Sequence, residues 1–251
     1  MNKKSKYIFG LFSFVVLISS VLMLKACSDG SATDTSNVNR IFQWGAANPT
    51  YVSAEAVPSE VIDPSGVGVG GTTDGEIIVY GGKALVTDST GTVNELTDDD
   101  SVVVSGVMTN FQADYTVITS AAIGCQDDLN DYLNDVVGDD EVDRLAAFTI
   151  KGNFSLVEYV VEKGVSDDST LFTIENVSGT MVGIKSPYYL GDDTFEIDNI
   201  SVGVGEVPYH VHFVNNDETV VGHVRECEID TGNDVEIALV NTYDLQLDYG
   251  D

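Results

Sequence analysis

All three histidines of this 251-residue chain lie within fourteen residues, at His210, His212 and His223. His210 and His212 are two apart in an apolar alternating stretch (VPYHVHFV, residues 207–214), a spacing that puts both on one face of a strand. Asn215, Asn216, Asp217 and Glu218 supply turn residues, and β character resumes at Val220. A hairpin whose loop is residues 216–219 sets Asn215 opposite Val220, Phe213 opposite Gly222 and His212 opposite His223. Directly opposed residues share a face with Cβ atoms about 5 Å apart, and His210 lies diagonally on the same face. Three imidazoles then converge on one point. Neutral imidazole is a borderline ligand suited to Zn²⁺, and three of them leave one position open, as catalytic zinc sites do. Zinc is the expected ion, with iron, manganese, nickel and copper compatible with the same donors.

The elements that must position this hairpin read mostly as strands. The run EIIVY at 76–80, the Gly81-Gly82 turn and residues 83–87 predict a hairpin. Residues 101–107 are Val-rich and strand-like. Leu129, Tyr132, Leu133, Val136 and Val137 fall at helical spacing before Gly138, which predicts one helix over 126–137 with Asp127 and Asp128 at its N-terminus. Residues 145–150, a Lys151-Gly152-Asn153 turn and residues 154–161 predict a second hairpin. Further strands are expected at 171–174, 179–184, 201–204, 207–214, 220–229 and 235–240. The short acidic runs at 98–100 and 139–141 read as solvated loops. The fold class is α+β and strand-dominated, with two β-rich lobes and few helices. The polar break at 164–169 divides them into 40–165, an N-terminal lobe, and 166–251, a C-terminal lobe that carries the histidines.

Charge narrows the partners. Four of the eleven basic residues fall in the first 26 positions, which hold no acid, so residues 27–251 oppose seven basic side chains to 41 acidic ones, a net −34. That excludes nucleic acid as a partner, since its binders need a basic face, and electrostatic docking on anionic lipid as well. At 43% hydrophobic the chain still has enough apolar material for a packed core.

The N-terminus reads as an export address. Residues 1–6 are basic and 7–24 almost wholly apolar, so 1–26 is expected to be a signal peptide. Ala26 before Cys27 matches a bacterial lipoprotein box, although Lys25 stands where a small or apolar residue is usual. Membrane attachment is therefore expected only through a lipid anchor at Cys27, with residues 27–39 as a flexible tether. Simple secretion to the periplasm or exterior and an uncleaved anchor are the alternatives. Cys125 and Cys227 remain, either as a disulfide or as two buried thiols.

The histidine block and the segments before it resemble the α-acetolactate decarboxylases. The stretch from Val207 to Phe213 followed by Gly222-His223-Val224 is similar to that family's metal-binding signature. GTMVGIKSP (179–187), Asp74-Gly75-Glu76-Ile77-Ile78, Gly66-Val67-Gly68, Ile41-Phe42-Gln43 and Gly152-x-Phe154-x-x-Val157 match further motifs in family order over about residues 41–240. The resemblance implies a lyase that converts 2-acetolactate, a small 2-hydroxy-3-keto acid, to acetoin and CO₂ with zinc as Lewis acid. It implies His210, His212 and His223 as metal ligands and Glu76 as the active-site acid whose protonated carboxyl group delivers a proton. The position of the family's substrate-binding arginine is Val160 here, and the family's C-terminal glutamate segment is not matched before Asp251. Lys185 and Arg225 are the candidate replacements for that arginine, Arg225 because it lies two residues past His223. A metal-containing binding protein on the same fold and a cupin-like metalloenzyme are the competing readings. A homodimer is compatible with the sequence.

Overall fold

The computed structural model describes residues 42–46, 57–58, 64–72, 75–97, 100–125, 127–138, 144–161, 170–185, 209–239 and 246–248. The expected signal peptide, Cys27, the tether, the strand at 201–204, the run at 139–141 and the break at 164–169 lie outside them.

Among the described residues, fifteen strands and one helix follow in order: β1 Phe42–Ala46, β2 Val57–Pro58, β3 Val67–Thr72, β4 Glu76–Tyr80, β5 Lys83–Thr87, β6 Val93–Glu95, β7 Ser101–Met108, β8 Tyr115–Ile118, β9 Ile123–Gly124, α1 Asp127–Val137, β10 Ala146–Val161, β11 Thr170–Lys185, β12 Tyr209–Asn215, β13 Val221–Ile229, β14 Asp234–Leu239 and β15 Gln246–Asp248. The first sheet runs β15-β1-β7-β3-β4-β5-β6, with β2 on β7, and the second runs β8-β14-β10-β11-β12-β13-β9. Because β13 also pairs with β10, the strands β10 to β13 close on themselves. The expected strand-dominated class, the hairpin at 76–87 and the helix are all present, and Gly138 ends α1 with a positive φ.

The expected division at 164–169 does not separate the sheets. The strands on either side of it, β10 and β11, are antiparallel partners from Ala146–Lys185 to Val161–Thr170; β8 to β14 make up the second sheet, and β15 returns to the first beside β1.

The expected turn at Lys151-Gly152-Asn153 is also absent, since β10 runs straight through it. The reason is Asn233, which is 1% exposed. Its side chain accepts from the Asn153 N–H and donates to the Asn153 carbonyl, both at 2.9 Å, at the point where the partner of β10 changes from β14 to β13. A side-chain amide thus stands in for a strand. A Cβ at residue 152 would collide with that amide, and its φ of 154° falls where L side chains seldom go, so glycine is required.

Three apolar layers result. Phe148, Phe154, Met181, Phe213 and Val224 pack with Leu129 and Leu133 of α1 on one face of the second sheet. Val182, Ile184, Val214 and Val221 on its other face meet Val67, Val69 and Ile78 of the first sheet. Ile77, Val79, Val86 and Val107 cover the far side of the first sheet. The functional hairpin β12–β13 sits between the first two layers.

Candidate metal centre

The histidine hairpin has the register that the turn residues imply. His212 opposes His223, Phe213 opposes Gly222, and the Asn215 N–H reaches the Val220 carbonyl at 3.2 Å. The Asn215 side-chain oxygen accepts from the N–H groups of Thr219 and Val220, which fixes the loop. On β11, Ile184 opposes His210 and Val182 opposes His212, so the imidazoles lie on the face that meets the first sheet. Their ring centroids are 4.4 to 5.3 Å apart. The three side chains offer one ligand nitrogen each within 4.8 Å of one another.

The first sheet completes the site through β4. Glu76 alternates with Ile78, which packs into the layer between the sheets, so its side chain also points there. Its carboxylate lies 3.5 Å from Nε2 of His212, and Glu76 is 5% exposed. The next residue contributes its backbone: Nδ1–H of His212 donates to the Ile77 carbonyl at 2.7 Å. That bond fixes the His212 tautomer and leaves Nε2 with a lone pair. Nε2 of His212 in turn faces Nε2 of His210 at 2.8 Å. An Nε2–H of one ring donating to the other meets that distance, and with His223 the three neutral ring nitrogens make a donor set that suits a divalent ion.

Electrostatics agree. Burial holds His210 down to about 4, with the Arg225 cation adding to the effect. His212 lies well below its ordinary value through burial and the neighbouring His210, opposed by the bond to Ile77. His223 is likewise lowered by burial, then by His210, His212 and Arg225. All three therefore stay neutral at physiological pH, the form that binds metal.

The candidate cations separate. Lys185 opposes Tyr209, one step out of phase with the Ile184–His210 pair, so it belongs to the opposite face of the sheet from the histidines. A one-residue offset on a strand reverses the face, which spacing within GIKSP did not reveal. Arg225 stays with the site. The pairs Tyr159–Val224 and Glu158–Glu226 make it the extra residue of a β-bulge, and its charge acts on both His210 and His223. Val160 directly opposes His223 and is 4% exposed. Sequence reasoning missed the Ile77 carbonyl and the Thr87 hydroxyl, which donates to the Val221 carbonyl at 2.8 Å, because neither contact has a local signature.

Fold and site together define a β-rich protein with a three-histidine centre, His212 and His223 buried and His210 half-buried, and a carboxylate at the junction of two sheets. The sequence profile described as alpha-acetolactate decarboxylase matches residues 63–251, and the chain belongs to that family. The alpha-acetolactate decarboxylase of Lactococcus lactis subsp. lactis (strain IL1403) is 31% identical over 218 residues, 81% of this chain and 86% of its own. That of Lactococcus lactis subsp. cremoris (strain MG1363) is 28% identical over 225 residues, with 82% and 86% covered. The crystal structure of alpha-acetolactate decarboxylase from Bacillus subtilis strain 168 shares the fold, with a TM-score of 0.67 at 21% identity over 82% of this chain and 88% of that one.

Proposed function

We propose that this chain decarboxylates 2-acetolactate to acetoin and CO₂ with zinc held by His210, His212 and His223. The observation that carries the reading is the convergence of three neutral imidazoles with the Glu76 carboxylate, in a chain of this family. Zinc bound there supplies Lewis acidity for the negative charge that develops on the keto oxygen. The bond to the departing carboxylate breaks, and its electron pair moves into the adjacent keto group. The Glu76 carboxyl then gives a proton to the carbon that lost CO₂. Arg225 holds the substrate carboxylate, a role supported by its charge reaching two of the three histidines. Val160 adds apolar surface beside it and keeps water from the reacting carbon. Two measurements test the assignment. Purified protein should carry about one zinc per chain, lost in His212→Ala. Glu76→Gln should lower kcat by 10²-fold or more, on the order expected of a general acid, with KM little changed.

We further infer that the chain is exported and held by a lipid anchor at Cys27. The leader motif supports this, and so does the disulfide between Cys125 and Cys227, since such bonds persist in oxidising compartments. Cys27→Ser should move the protein from the membrane to the soluble fraction. Unchanged partition of a normally matured variant would refute the anchor.

A further inference from the structure

Two buried hydrogen bonds cross between the sheets at this site, and they run in opposite senses. His212 of the second sheet donates to Ile77 of the first, and Thr87 of the first donates to Val221 of the second. The first explains how His212 is oriented. The second ends on a carbonyl two residues before His223, at the start of β13.

Thr87 is also tied to Glu76. Ile77 opposes Val86, so one step further along the ladder Glu76 and Thr87 are cross-strand neighbours on the face that meets the second sheet. Gly75, the residue before Glu76, lies so close to Thr87 that a Cβ there would collide with the Thr87 carbonyl. Thr87 is 1% exposed, so its hydroxyl has no water to turn to. One residue therefore touches both arms of the centre: its backbone abuts the strand start that delivers Glu76, and its side chain holds the strand start that delivers His223.

We propose that Thr87 is a positioning residue that sets the spacing between the Glu76 carboxylate and the histidine hairpin by fixing β13 through the Val221 carbonyl. A valine there would keep the shape of the side chain and leave that buried carbonyl without its cross-sheet donor. The strand would then be free to shift by the few tenths of an ångström to which metal sites are sensitive. The proposal rests on the metal reading of the histidines and not on the decarboxylation, so its test can be made without substrate.

The experiment compares zinc affinity, by competition with a chelator on metal-stripped full-length protein, for wild type, Thr87→Val and Thr87→Ser, with far-UV circular dichroism as the check on folding. Loss of a group that orients metal ligands typically costs 10–100-fold in affinity, so Thr87→Val should bind zinc at least about tenfold more weakly while remaining folded. Thr87→Ser keeps the donor and should bind within about threefold of wild type, a rescue that packing alone would not give. Should Thr87→Val not fold, the same comparison is made with Thr87→Cys, whose thiol is a weak donor and should also bind more weakly than Thr87→Ser. Wild-type affinity in folded Thr87→Val or Thr87→Cys, or equal losses in Thr87→Ser and Thr87→Val, would overturn the role of the hydroxyl alone. A wild type that binds no zinc would overturn the metal centre and this inference with it.

Discussion

Val160 lies directly opposite His223 in the β10–β13 ladder, so a side chain at residue 160 faces the same layer as the histidines. The resemblance to the family places an arginine at that position, and here a cation reaches the same histidines from β13 through the bulge at Arg225.

The proposed role of Arg225 makes residue 160 the place to test a second guanidinium, since it faces His223. A charge-assisted hydrogen bond contributes about 1.5–3 kcal/mol, so Arg225→Ala should raise KM for 2-acetolactate by roughly 10–150-fold. Adding Val160→Arg to that variant should recover part of the loss. Steady-state kinetics of the single and double variants check this, and an unchanged KM in Arg225→Ala would remove Arg225 from the substrate site. Lys185→Ala should leave KM unaltered, because Lys185 belongs to the opposite face.

The buried imidazoles make the metal-stripped protein acid-labile. Each is held below its ordinary value of 6.5, His210 at about 4. The unfolded chain then binds protons that the folded chain refuses. The stability is complete above about pH 6.5 and is lost as the pH falls through about 4. Urea midpoints of metal-free protein should be level from pH 8 to 7 and fall steadily between 6.5 and 4. The His210/His212/His223 triple alanine variant should show a smaller decline over that window, and an identical decline would assign the acid sensitivity elsewhere.

The disulfide fastens the link between β9 and α1, at Cys125, to Cys227 of β13, at a sequence separation of 102. Its loss should cost about 2–5 kcal/mol, by the constraint a loop of that length places on the unfolded chain. Equilibrium unfolding of Cys125→Ala/Cys227→Ala beside wild type, and of wild type with reductant, measures the difference. A double variant as stable as the oxidised protein would contradict the structural role.

The net charge of −30 predicts a salt effect of unusual sign. The substrate is an anion approaching a strongly acidic protein, so long-range repulsion slows encounter and salt screens it. The ratio kcat/KM should rise from low ionic strength to about 0.15 M salt, where the Debye length is about 8 Å. A monotonic fall would mean that local attraction at Arg225 and the metal dominates even at a distance.

Features that short-range chemistry decides were legible in the sequence. The histidine hairpin follows from strand alternation and the Asn215 turn, and α1 follows from the spacing of Leu129, Leu133 and Val137. What escaped depends on residues far apart in the chain. Lys151-Gly152-Asn153 has turn composition, yet Asn233, eighty positions away, supplies the hydrogen bonds that keep β10 extended. The Ile77 carbonyl and the Thr87 hydroxyl act across 135 and 134 positions, and no local pattern marks them. Lys185 was misplaced by one residue of phase, the smallest shift that turns a strand over.

Acetoin formation from racemic 2-acetolactate reads out whether the three-histidine centre performs the decarboxylation. Full-length protein stripped of metal, the same protein reloaded with one equivalent of zinc, and zinc-treated His212→Ala are assayed side by side. Acetoin and an equimolar amount of CO₂ are expected from the reloaded protein, and from neither of the other two above the spontaneous rate. A folded, zinc-loaded wild type that forms no acetoin, or a His212→Ala variant that forms it at the wild-type rate, would contradict it.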